Sequence, residues 1–193
     1  MNKKNEDNIN QMLEHNIVPI FGWVDQDMVE RVQYAFTKLF FEKKEKIFVI
    51  ISSTGGKVKS ALEIFDILKL YPGQVFGLVV GEAMSSAAII LQACGTRMAT
   101  THSKILIHNG STNVDINVFL NAELLHKQVG EHQQIAKRLW TIVSLRTGRS
   151  MKEVELEFER DKVMGVEQAI EFGLIDSIFD KPLPWNIAEV LKV

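Results

Sequence analysis

Two runs of β-branched and aromatic residues in this chain each stop at a glycine-bearing turn and pass directly into a helical pattern. The first, Ile47–Ile51, has no polar residue and breaks at Ser52–Gly56. An unbroken apolar run predicts a strand buried on both faces, the usual state in a sheet flanked by helices. Lys57–Leu70 follows, with Ala61, Ile64, Phe65 and Leu68 spaced to share one helical face. After a Pro72-Gly73 turn, Val75–Val80 is a second such strand, ending at Gly81 before a small-residue helix that runs through Ala93. Strands joined by helices lie parallel and take the right-handed crossover. The chain is thereby committed to an α/β fold, a mostly parallel sheet wrapped by helices.

The remaining segments fill in that plan. Asp7–His15 reads as a short helix and Ile17–Phe21 as a strand ended by Gly22. Asp25–Phe41 carries Met28, Val32, Ala35, Phe36, Leu39 and Phe40 at helical spacing, and Lys43–Lys46 is a solvated charge run. Lys104–His108 is a third apolar strand. Helices follow at Asn117–Thr147, Met151–Arg160 and Val166–Phe172, with a closing strand at Leu174–Phe179. A helix as long as 117–147 reaches roughly 35–45 Å, more than the domain needs internally. Its length predicts a projecting element that serves assembly.

Composition narrows the function. A chain of 193 residues with 46% hydrophobic and 24% charged residues makes one domain with a continuous core. A net charge of −2 gives no basic excess for nucleic acid or an anionic membrane. Cys94 stands alone, which excludes an intrachain disulfide and fits a reducing compartment. The apolar stretches are far shorter than the roughly 20 residues a bilayer requires, and no apolar run follows the basic residues near the N-terminus. The expectation is a soluble, cytoplasmic protein. His126 and His132 lack the i, i+4 spacing of a metal pair, and with no Cys/His/Asp cluster we expect neither metal nor cofactor.

Three places could carry chemistry. In Gly81-Glu82-Ala83-Met84-Ser85-Ser86 a buried strand turns sharply into a Ser/Ala helix, which sets a hydroxyl beside free N–H groups at a helix start. The simpler reading makes Ser85 or Ser86 an N-cap. The nucleophile-elbow pattern G-x-S-x-G is absent. In Ser53-Thr54-Gly55-Gly56 the paired glycines expose backbone N–H groups as an oxyanion hole does, or form a plain turn. His108 ends the Lys104–His108 strand, at the sheet edge where ligands bind in parallel α/β folds. His102, in the polar loop before that strand, is the poorer candidate.

Together these segments resemble the Clp protease proteolytic subunit family over about Asp7 to Asp180. Ser53–Gly56 is similar to the family's S-P-G-G turn, Gly81–Ser85 to its G-x-A-x-S, and Ile105–His108 to its M-I-H strand. Thr147-Gly148-Arg149-Ser150, Glu159-Arg160-Asp161, Glu167-Gln168-Ala169 and Gly173-Leu174-Ile175-Asp176 follow in the family's order. The resemblance implies a crotonase-like fold, with a head of about 7–109 and 148–180 and a handle of about 110–147. It implies a serine endopeptidase acting on unfolded polypeptides, with Ser85 as nucleophile, His108 as general base and Asp161 orienting the imidazole. Backbone N–H groups of Gly56 and Ser86 would form the oxyanion hole. Heptameric rings, stacked in pairs, are implied, with Arg160 pairing across the ring interface and coupling assembly to Asp161. Partners would be an AAA+ unfoldase ATPase or a paralogous ring subunit.

The chain departs from the pattern in places. Only about six residues precede the first helix, where the family has an axial loop. Asn109-Gly110 replaces Gln-Pro, and Ser111–Asp115 replaces a Gly-rich strand. Thr54 stands for the turn's proline, and 181–193 is an extension with Pro182, Pro184 and Trp185. Three other readings compete for the same residues. Acyl-CoA hydratases and isomerases share the fold without needing all three side chains, and a Ser-Lys dyad would use Lys57 or Lys104. A catalytically silent ring subunit scaffolding an active paralogue would keep the residues without the activity.

Overall fold

The computed structural model describes residues 3–110 and 116–180. Its elements run α1 (Lys3–Glu14), β1 (Ile17–Val24), α2 (Gln26–Phe41), β2 (Lys46–Gly56), α3 (Val58–Leu70), β3 (Gln74–Met84) and α4 (Ser86–Leu91). They continue β4 (Thr96–Thr100), β5 (Lys104–Leu106), α5 (Ile116–Phe119), α6 (Ala122–Thr147), α7 (Met151–Arg160), α8 (Val166–Phe172) and β6 (Ser177–Phe179). The strands form one sheet in the order β1-β2-β3-β4-β6, with β5 also paired to β3, and every ladder is parallel. The α/β architecture expected from the strand–helix alternation is the one found.

One face of the sheet carries the main core. Ile47, Val49 and Ile51 of β2 point into it beside Val18, Ile20, Val75 and Val79, under α2, α3 and α4. The other face is covered less. There Ile17 and Phe48 form a small cluster with half-buried Met12, Ile50 and Phe76, and the Phe48 and Phe76 rings stack 5.1 Å apart. The β2 run is therefore deeply buried on one face and partly covered on the other. That is less than its unbroken hydrophobicity predicts.

Strand ends differ most from expectation. β1 does not stop at Gly22 but continues to Val24 through a register shift. β3 runs on past Gly81 to Met84, because that glycine takes φ 84° and bends the strand without ending it. The bend lets one strand serve two neighbours: Phe76–Val79 pair with β4, and Glu82–Met84 pair with β5. β4 has no counterpart among the expected strands, and the helix expected through Ala93 ends at Leu91. The strands expected at Lys104–His108 and Leu174–Phe179 are confined to β5 and β6, while Met151–Arg160 and Val166–Phe172 fall as predicted.

The expected long helix is split into α5 and α6 at Leu120-Asn121, where the Asn121 side chain caps the Glu123 and Leu124 N–H groups. α6 has 26 residues, about 39 Å at 1.5 Å each. Its buried side chains, Ala136, Leu139 and Val143, lie in the C-terminal half, whereas Leu124, Val129 and Ile135 are exposed. α7 starts with a capping box, Ser150 Oγ accepting from Glu153 N–H and the Glu153 carboxylate accepting from Ser150 N–H. No helix among the described residues is long and apolar enough to cross a membrane.

A buried polar network ties α4 to the far end of the chain. Arg97 of β4, only 5% exposed, donates twice to the Asp176 carboxylate from its guanidinium and once from its backbone N–H. Arg97 also donates to Gln92 Oε1 and Gly173 O, and Gln92 donates to Ala88 O and Leu174 O. Burial pushes the Asp176 carboxyl up, but hydrogen bonds and charge from Arg97 outweigh it and hold it below its usual range.

Candidate active site

Backbone pairing assembles the site. Met84 is in register with Leu106 across the β3–β5 ladder, and the next N–H, that of Ser85, donates to Leu106 O at 2.8 Å. Two residues beyond Leu106, the chain presents His108. Its Nε2 lies 2.8 Å from Ser85 Oγ and its Nδ1 lies 2.7 Å from Asp161 Oδ1. Three side chains from distant parts of the sequence thus form one relay.

Ser85 occupies the N-cap position of α4, yet its side chain caps nothing there. It takes φ 55°, ψ −123°, a conformation a residue with a Cβ adopts only at a cost of roughly 1–3 kcal/mol. Its hydroxyl lies against His108 instead. Ser86, the rival serine, is 2% exposed, and its Oγ has no hydrogen-bond partner. Of the two serines, only Ser85 is within reach of a base.

Asp161 ends α7 in the left-handed region, φ 50°, ψ 37°, with a side chain 68% exposed. On either side of the pair, the chain is tied down. Ile105 and Met164 exchange backbone hydrogen bonds of 3.0 and 2.8 Å. The Asn109 amide oxygen accepts from Trp140 Nε1–H at 3.0 Å. Trp140 does not stand out in the sequence, and Asn109 does so only as a departure from the family's Gln-Pro. The polar residue directly after His108 is the one available signal.

The glycine turn closes the site. Gly55 takes φ 89°, and a Cβ there would stand 2.6 Å from Met84 O and 2.9 Å from Ser85 Cβ. The same point is 3.1 Å from the Ser86 backbone nitrogen, so the turn runs directly alongside the start of α4. Gly56 is pressed against β1 instead, where a Cβ would lie 2.6 Å from Val24 N. Ser53, buried below, holds the turn by donating to Gly22 O and accepting from Gly55 N–H.

Other sequence candidates lie elsewhere. Arg160 is exposed and pairs with Glu157 of its own helix at 2.8 Å. His102 is exposed in the loop before β5. Ser111–Asp115 and the 181–193 extension fall outside the described residues. Among the described residues there is no group of three or more His, Cys, Asp or Glu placed to hold a metal ion.

A parallel α/β sheet with a serine, histidine and aspartate in hydrogen-bonded sequence at one edge defines the class of serine hydrolases by geometry. The Clp protease family model matches residues 1–182, so the chain belongs to the Clp protease family and is a serine peptidase of the Clp type. A curated relative, the ATP-dependent Clp protease proteolytic subunit 1 of Thermobifida fusca (strain YX), is 28% identical over 184 residues, 94% of this chain and 80% of the relative.

Proposed function

We propose that the protein is an endopeptidase that cleaves unfolded polypeptides within an oligomeric barrel, with Ser85, His108 and Asp161 as its catalytic triad. The relay of 2.8 and 2.7 Å through His108 is the observation that carries this reading. Ser85 Oγ attacks the scissile carbonyl while His108 Nε2 takes its proton. The imidazolium, held by Asp161, then protonates the leaving amine. Water, deprotonated by His108, hydrolyses the acyl-enzyme and regenerates Ser85.

The backbone N–H groups of Gly56 and Ser86 are our oxyanion donors, each worth on the order of 3 kcal/mol in the transition state. Ser86 suits the role because the first N–H groups of a helix have no intrahelical acceptor. Stacked heptameric rings are the assembly we infer, with the exposed apolar residues of α6 meeting a second ring and Arg160 pairing across the ring interface. The compartment is the cytoplasm, and an AAA+ unfoldase or a paralogous ring subunit is the partner class. A relative named as ATP-dependent supports the former.

The test is labelling of the assembled protein with a fluorophosphonate serine probe. Loss of labelling in Ser85→Ala but not in Ser86→Ala is expected. An assembled wild type that never labels would instead favour a catalytically silent ring subunit.

A further inference from the structure

We propose that Trp140 is a positioning residue for the His108–Asp161 pair, acting through its hydrogen bond to Asn109. The proposal rests on the roles given above to Ser85, His108 and Asp161. A carboxylate 68% exposed at a helix end is not held by packing around it. Its place is set by the two backbone segments that carry the pair, 105–109 and 158–164.

Those segments are joined at both ends. At one end, Ile105 and Met164 exchange backbone hydrogen bonds, three residues before His108 and three after Asp161. At the other end the join is a side chain. Trp140 donates from Nε1 to Asn109, the residue after His108. The Trp140 ring meets Phe158, three residues before Asp161, edge to face at 6.5 Å and 71°. Phe158 is 2% exposed, and α6 is anchored beside Trp140 by buried Leu139 and Val143. An indole fits this place because it is rigid, apolar over its body and a donor at one atom only.

The base and its orienting acid therefore sit midway in a frame closed by a backbone pair on one side and the indole on the other. Removing the indole N–H frees the residue next to His108 while leaving the ring contact with Phe158. Proton transfer falls steeply with displacement, so loosening of this frame appears in kcat before it appears in substrate binding.

Trp140→Phe, Asn109→Ala and the double variant test this in the assembled protein. The readouts are kcat and KM on an unfolded protein substrate, fluorophosphonate labelling rate, Tm, and a crystal structure of each single variant. The loss of one neutral hydrogen bond predicts a fall of about five- to tenfold in kcat and labelling, with KM within about twofold. The double variant should be no worse than either single, because both remove the same bond. Wild-type kcat and labelling in both singles would overturn the proposal, as would losses that add in the double and follow Tm. A wild type that neither labels nor cleaves would refute the proposed function instead. The structures then decide the positioning role alone: a lengthened His108–Asp161 contact sustains it and an unchanged one overturns it.

Discussion

Ser85 donates its backbone N–H to the carbonyl of Leu106, so Ser85 and His108 are brought together by main-chain register, before any side chain contributes. The 2.8 Å Ser85–His108 contact is a consequence of that register. Side-chain substitution at Ser85 should leave the ladder intact. The backbone strain at Ser85 can therefore be measured by itself. Ser85→Gly is expected to exceed Ser85→Ala in stability by about 1 kcal/mol, since glycine accepts a positive φ freely. Both variants should lose all fluorophosphonate labelling. Denaturation midpoints of the two variants check the difference.

Asp161→Asn tests the orienting role proposed for Asp161 without disturbing the helix end, because asparagine tolerates the left-handed conformation found there. The amide cannot stabilise an imidazolium as a carboxylate does. We expect kcat to fall about 10²–10⁴-fold with KM little changed, read from steady-state cleavage of a peptide.

Gly55→Ala should be far more damaging than its size suggests. The new methyl would meet Met84 O and Ser85 Cβ on a backbone already at φ 89°. A loss of about 2–4 kcal/mol is expected, together with loss of labelling, because the atoms that must move are those of Met84 and Ser85. Thermal melts alongside probe labelling would measure both.

The Arg97–Asp176 pair makes stability depend on acid. The Asp176 carboxyl is held below its ordinary value of 3.8, so its contribution is present above that value and is lost as pH falls through the lower folded one. Asp176 is 39% exposed, and solvent screening limits the effect. Asp176→Asn should cost about 1–2 kcal/mol at pH 7, leaving buried Arg97 without its anion. The gap to wild type should close below about pH 4, as urea titrations at several pH values would record.

Cys94 gives an alkaline counterpart. Burial pushes its thiol up to about 12, against the pull of the nearby Arg146, Arg97 and Lys69 charges. The native protein should resist iodoacetamide at pH 8 and react only on unfolding. A raised folded value contributes below the ordinary thiol value of 9.0 and is lost as pH rises toward the folded one. Stability should therefore decline above about pH 9.

Much of the fold is legible in the sequence because local chemistry and fold agree, whereas Ser85, His108 and Asp161 are joined there only by the family resemblance. The apolar strands, the glycine turn and the small-residue helix start are short-range signals, and each is present although its ends are shifted. β4 is hidden because Thr96–Thr100 is polar in composition, and its buried Arg97 is paired with Asp176, 79 positions away. Gly81 reads as a stop because sequence does not separate a bend from an end. Asn109 and Trp140, 31 positions apart, meet only in the tertiary structure, so no periodicity announces them.

The bend at Gly81 divides β3 into a foundation and a workbench. Below it, Phe76–Val79 stand between β2 and β4 in the middle of the sheet. Above it, the same strand has exchanged β4 for β5, and Ser85 and His108 come at once. Load and labour are carried by different lengths of one strand. Sequence change along the upper length acts on the pairing that carries Ser85 and His108 without loosening the lower length that keeps the sheet standing.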